Sequence, residues 1–404
     1  MISPSSAAAL AILRGVNLGP LAYGFRAFFL AAGLSALVLV PWWAAAACCG
    51  LPITTAWPGS LWHGHEMLHG FVVAAIAGFL LTAVPSWTGR RGFAGAPLAF
   101  MASTWLLGRL AAAVAGHVPA ALVAAADLAF MPVLVAWIGP PLVRERNRNT
   151  PLLAVLGGLW AGNVVFHFAL WRGDTALARE TLLATVNFVL VLITVIGGRI
   201  TPSFTATALR LRGATATVRA ARAMTPLAVG VMVAVVIVDI FAGGSRVAGW
   251  LALVAVAVQF GRLAQWQGHR TLREPIVWIL HVAYLWIPIG LLLKGMALLG
   301  IAGGAAGWLH ALTAGTIATM IFGVMTRVSL GHTGRPLVLP RGVVAAYVLL
   351  TGAALLRVFG AVVPTVAYTW TVAASAALWA AAFAVFLWQY GPILWRPRPD
   401  GRSG

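Results

Sequence analysis

Charge is what this sequence has least of. Only 8 of its 404 residues are acidic, lysine occurs once, at Lys294, and charged residues make up 9% of the chain. A soluble domain of this length needs a polar, mixed-charge surface, which so few ionisable groups cannot supply. Cysteine is nearly absent as well. Cys48 and Cys49 are the only two and are adjacent, which excludes a disulfide framework and a cysteine-built metal cluster; they read as packing within a run of small residues. No linker, short-period repeat or polar domain interrupts the chain. No cleavable leader is recognisable, because the first apolar run starts only near Phe25 and is long enough to span.

What is present is apolar: 61% of residues are hydrophobic and the mean hydropathy is +0.94. The apolar runs are long and continuous instead of short and alternating, so the backbone satisfies itself in helices within the lipid. The expectation is an all-α polytopic membrane protein of about twelve transmembrane helices. Its spans fall at roughly 25–47, 62–86, 96–116, 118–138, 150–171, 178–200, 224–243, 247–266, 275–299, 306–328, 342–361 and 365–390. Residues 1–24 read as a cytoplasmic or interfacial segment, 25–394 as one transmembrane domain and 395–404 as a cytoplasmic tail. Spans three and four are joined only by Gly116 and His117, the pattern of a tight helical hairpin.

The formal charge of +19 does not point to nucleic acid, because the arginines are dispersed between apolar runs instead of forming one patch. They alternate. Connections after even-numbered spans carry Arg90, Arg91, Arg144, Arg146, Arg148, Arg210, Arg212, Arg219, Arg222, Arg270, Arg273, Arg335 and Arg341, and the termini carry Arg14, Arg396, Arg398 and Arg402. Connections after odd spans hold only Arg172, Arg179 and Arg246. By the positive-inside rule both termini are cytoplasmic, with lipid as the main partner.

Ionisable groups within a bilayer are costly and mark function by default. Under this topology His63, His65, Glu66 and His69 open span two at its outer end, His310 opens span ten and His167 closes span five, all at one depth. His117 lies near the same surface, while His281 is in the inner half of span nine. At about 100° per residue His65, His69, Glu66 and His63 fall within roughly 160° of the helix circumference. Neutral imidazole is the common nitrogen ligand of haem iron, copper and zinc. The candidate metal ligands are therefore His63, His65, His69, His310 and His167, with Glu66 orienting an imidazole from behind. Arg109 and Asp127 lie at similar depth on adjacent antiparallel helices and are placed to pair. Lys294 and Arg357 lie towards the outer ends of spans nine and eleven. Arg109 and Arg357 are the arginines carried forward as cofactor-binding candidates, guanidinium being suited to carboxylates such as propionates.

Residues 65–69 also fit H-E-x-x-H, in which two histidines hold zinc and the glutamate activates water; Asp127 and Asp239 are the carboxylates available as a third ligand. A multi-span transporter is the other rival, with Arg109, Asp127 and Asp239 lining a path.

Longer motifs narrow the field. Phe25–Leu30 reads FRAFFL, Trp62–Phe71 reads WHGHEMLHGF, Ala77–Gly89 reads AGFLLTAVPSWTG, Ile196–Arg210 reads IGGRITPSFTATALR, Thr326–Leu337 reads TRVSLGHTGRPL, and Tyr390–Leu394 reads YGPIL. In this order they resemble the NnrS family of bacterial membrane proteins over nearly the whole chain, with Ala27 where a proline is expected. The resemblance implies haem and copper as cofactors and a role in nitric oxide metabolism or nitrosative-stress tolerance, with nitric oxide or a related small molecule and an unidentified electron donor as partners. A looser likeness is to the catalytic subunit of haem–copper oxidases, which also has twelve spans and a haem held between spans two and ten. On that likeness His310 and one histidine of span two (His63, His65 or His69, with His65 the first choice) are expected to hold the iron.

Overall fold

The computed structural model describes residues 19–53, 55–213, 218, 221, 223–301, 305–360 and 368–401. Residues 1–18, with Arg14, and the basic residues Arg219, Arg222 and Arg402 lie outside it. Among the described residues there are twelve long helices and no strand: α1 Gly24–Cys49, α2 Gly59–Thr88, α3 Ala96–Ala113, α4 Ala120–Arg144, α5 Leu152–Trp171, α6 Thr175–Leu211, α7 Met224–Ala242, α8 Arg246–Ala264, α9 Pro275–Leu298, α10 Gly307–His332, α11 Val343–Phe359 and α12 Tyr368–Trp395. Eleven are long and apolar enough to cross a bilayer, and α11, at 17 residues, is the shorter one. The chain is thus an all-α polytopic membrane protein.

Chain neighbours pack as pairs (α5 on α6, α8 on α9, α11 on α12), and α12 closes the bundle by packing along α1. Arg26 joins those two ends. Its buried guanidinium donates to the carbonyls of Leu394 at 3.0 Å and Arg396 at 2.6 Å, acceptors that the end of a helix leaves without intrahelical donors. A cation at a helix C-terminus also opposes the negative end of the helix dipole. FRAFFL and YGPIL, more than 360 residues apart in sequence, are therefore two halves of one structural contact.

Helix α6 runs 37 residues, well past the expected end at 200. At ~1.5 Å per residue it exceeds the ~30 Å hydrocarbon thickness. Pro202 lies inside it and, lacking an N–H, leaves the carbonyl four residues back without its donor. That carbonyl belongs to Gly198, and buried Arg262 of α8 donates to it at 3.4 Å and to the Thr194 carbonyl at 2.8 Å. The approach requires glycine, because a Cβ at 198 would stand 2.3 Å from the Arg262 guanidinium. Tyr284 accepts a further bond from Arg262 at 2.9 Å and passes its own proton to Gln259 at 2.7 Å.

Two helices leave α geometry, both next to histidines. Glu66–Val72 of α2 and Ala311–Ala318 of α10 are π-helical. Such wide turns loosen backbone hydrogen bonds and occur mostly at functional sites. Side chains answer the loosened carbonyls: Trp105 Nε1 donates to Gly70 O at 3.2 Å, and the Thr316 and Thr319 hydroxyls donate five residues back to Ala311 O and Ala314 O at 3.4 and 3.3 Å.

Candidate metal centres

The two π-helical turns face each other across a cavity of about 350 Å³, within the range of roughly 300–1,000 Å³ usual for cofactor sites. Six helices wall it: α1, α2, α6, α10, α11 and α12. Its body is apolar, while His63, His310, Arg179 and Arg357 bring the nitrogen groups. The His63 ring stacks on Trp43, centroids 4.3 Å apart and planes 22° apart. Its Nδ1 is buried without a hydrogen-bond partner. His310 ends the α-helical lead-in to the second π turn, and it lines the same cavity as His63 and Arg357. Arg357 donates to the Tyr368 hydroxyl at 2.8 Å and keeps a second buried nitrogen unpartnered.

On the other side of α2 lies a second cluster. His65, Asp127 and His167 bring ligand atoms within 4.8 Å of one another. The His65 Nδ1 lies 3.1 Å from Glu66 Oε1, and its Nε2 lies 3.1 Å from Asp127 Oδ2 and 3.0 Å from Asn163 Oδ1. His167 Nε2 is 2.8 Å from the same Asp127 oxygen. Asn163 gives its amide N–H to that oxygen at 2.7 Å, which turns its carbonyl oxygen towards His65. The His69 ring centroid is 4.8 Å from that of His65, and its Nε2 is buried and unpartnered. Phe166 stacks on His65 at 4.7 Å, and Trp57 meets both His65 and His167 edge-on.

The chemistry of this cluster calls for a positive charge at its centre. Glu66 faces His65 Nδ1 while Asp127 Oδ2 and Asn163 Oδ1 face its Nε2, so a neutral His65, with one ring proton, leaves a lone pair turned towards an acceptor on one side or the other. Converging acceptors in a buried site are satisfied only by a proton or a cation among them. The fixed charges agree. Arg109 pairs with Glu66 at 2.6 Å and also with Asp127, so two carboxylates and one guanidinium leave a single negative charge uncompensated in apolar surroundings.

Several expected positions differ. Of the span-two histidines it is His63, not the first choice His65, that shares the cavity with His310, while His65 faces Asp127 and His167. Arg109 does not line the cavity: its guanidinium is taken by Glu66 and Asp127, and Arg357 alone of the two expected arginines borders the space. His117 is exposed on the α3–α4 turn. His281 bonds Thr205 at 2.7 Å, away from both clusters. Lys294 pairs with Asp239, to which Asn187 donates at 2.7 Å, and lies 5.3 Å from the Trp308 ring. That pairing occupies the carboxylate considered for a transport path. Glu66 is already engaged by Arg109 and by His65 Nδ1, which counts against it as the water-activating base of the H-E-x-x-H reading. Sequence reasoning passed over Arg179, Asn163 and the aromatic walls. Arg179 was legible in principle, being one turn into α6 at the depth of His63.

A model of the NnrS protein family matches residues 20–398, nearly the whole chain, and no curated protein matches it. The chain belongs to the NnrS family.

Proposed function

We propose that this NnrS-family membrane protein holds haem in the six-helix cavity between His63 and His310, and copper among His65, His69 and His167 beside Asp127, and that the two centres serve nitric oxide metabolism or nitrosative-stress tolerance. The observation that carries the reading is the pair of histidines from two different helices, each beside a π-helical turn, facing one apolar cavity, with His63 Nδ1 unpartnered. Buried imidazole nitrogens without partners suit metal ligation.

Each group of the chain has a part. Trp43 holds the plane of the His63 ring. Arg357 and Arg179 bring cations to the cavity rim, where haem carboxylates require them. Glu66 fixes the His65 tautomer so that Nε2 points inward, and Arg109 holds Glu66 and Asp127 in place. Three imidazoles beside one carboxylate make a nitrogen-rich donor set suited to copper or zinc. When bound, haem and copper supply ligand binding and one-electron chemistry. The arginine distribution supports an orientation with both termini cytoplasmic and the histidine end at the outer face, in a bacterial inner membrane. An electron donor from outside the chain completes any redox role.

The test is the absorbance spectrum and metal content of purified protein. A haem Soret band with stoichiometric copper is expected. A colourless preparation carrying one zinc per chain overturns the reading and revives the protease alternative.

A further inference from the structure

A second space adjoins the histidine cavity. It measures about 80 Å³ and is lined by sixteen residues of α1, α2, α6 and α10, every one of them apolar. Two of these residues, Val72 and Ile317, also line the histidine cavity. Val72 closes the π-helical turn of α2, and Ile317 lies within that of α10, so the two spaces meet where both helices are widest. The lining changes along its length. Val72, Val189 and Ile317 at the cavity end are buried, whereas Phe79, Ile196 and Val324 at the other end are half-buried. These residues lie on membrane-spanning helices, where the medium outside is lipid.

Gly197 borders this space without a side chain, and a Cβ there would stand 3.2 Å from Met320 Cε. A space with no polar lining does not hold ordered water, which needs two or more hydrogen-bond partners; apolar cavities stay dry and take up small apolar solutes such as xenon. Its size excludes a porphyrin or a folded lipid headgroup. It has room for a small apolar molecule such as a diatomic gas or xenon.

We infer that this space is a binding site for uncharged, apolar molecules of diatomic size, which enter from the lipid and are delivered to the histidine cavity through the gap between Val72 and Ile317. As a delivery route for the molecule treated at that cavity, the inference rests on the proposed function; as a gas-binding site it does not.

Xenon is the probe, applied under pressure to crystals of the detergent-purified protein. Density is expected between Ile76, Ile193 and Ile317, and is expected to vanish in Gly197→Leu while any density in the histidine cavity persists. Should Gly197→Leu fail to fold, Ile76→Phe closes the same space. Wild-type protein without xenon there, or with ordered water or an acyl chain filling it, overturns the inference, as does xenon retained unchanged in the blocking variant. Haem-free protein that still takes up xenon removes the haem reading and leaves the gas site standing, whereas haem-loaded protein without xenon does the reverse.

Discussion

His63 and His65, two residues apart on α2, face two different sites: His63 stacks on Trp43 in the six-helix cavity, and His65 stacks on Phe166 in the Asp127 cluster. Helix geometry forces the division. Residues two apart are separated by about 160° around the axis in the shorter direction, too wide an arc for one coordination sphere. The helix therefore acts as a wall between two centres, with His69 on the same side as His65.

Substitution should separate the two. His63→Ala and His310→Ala are expected to lose bound haem, while His65→Ala keeps it. The pyridine haemochrome assay on matched preparations measures this. Full haem in His63→Ala together with loss in His65→Ala would place the iron on the other face of α2.

The Asp127 side should respond independently. His167→Ala and His69→Ala are expected to lower copper content several-fold with the haem spectrum unchanged, as read by elemental analysis. Loss of haem in step with copper would mean that the two clusters form a single site.

Among the described residues Arg109 is the arginine paired with both Glu66 and Asp127. Arg109→Met leaves two buried carboxylates facing each other and should cost about 3–5 kcal/mol in metal-free protein, the range for breaking a buried pair. Asp127→Asn, which leaves Glu66 and Arg109 matched, should cost less. Added copper should raise the melting temperature of Arg109→Met more than that of the wild type, because the ion replaces the missing charge. Equal shifts would rule out a cation at this cluster.

Arg262 answers the carbonyls near Pro202. Arg262→Met should destabilise the protein by about 1–3 kcal/mol per orphaned acceptor. Adding Pro202→Ala restores an N–H for Gly198 O and should recover part of the loss. A double-mutant cycle on unfolding in detergent reads the coupling, and strict additivity of the two substitutions would show that the contact carries no energy.

The membrane architecture was almost entirely legible. Apolar runs near twenty residues have one low-energy arrangement in lipid, so the helix positions follow from hydropathy to within a few residues. Exceptions arose where a local rule met a tertiary answer. Helix α6 continues beyond residue 200 through Pro202 because Arg262, 60 residues further on, supplies the donor that proline lacks. That His65 meets His167 and His63 shares a cavity with His310 accords with their positions along the helix axes, which were already legible in the sequence. Their facing was not. The 100° step separates His63 from His65 but does not say which partners each ring meets, and the π-helical turns of α2 and α10, which arise from packing, change the residues per turn beyond them.

Composition and the run lengths alone determined that this chain lives in lipid as a helical bundle, and the order of its motifs determined its family, because both are properties of the chain in one dimension. Which imidazole meets which partner was decided only by the packing of six helices around a cavity and of Asp127, Asn163 and Arg109 against α2. Those contacts join residues up to about a hundred positions apart, and more than 240 apart for His63 and His310. Rotation of each helix about its own axis, on which they all depend, is set by its neighbours and leaves no mark on hydropathy.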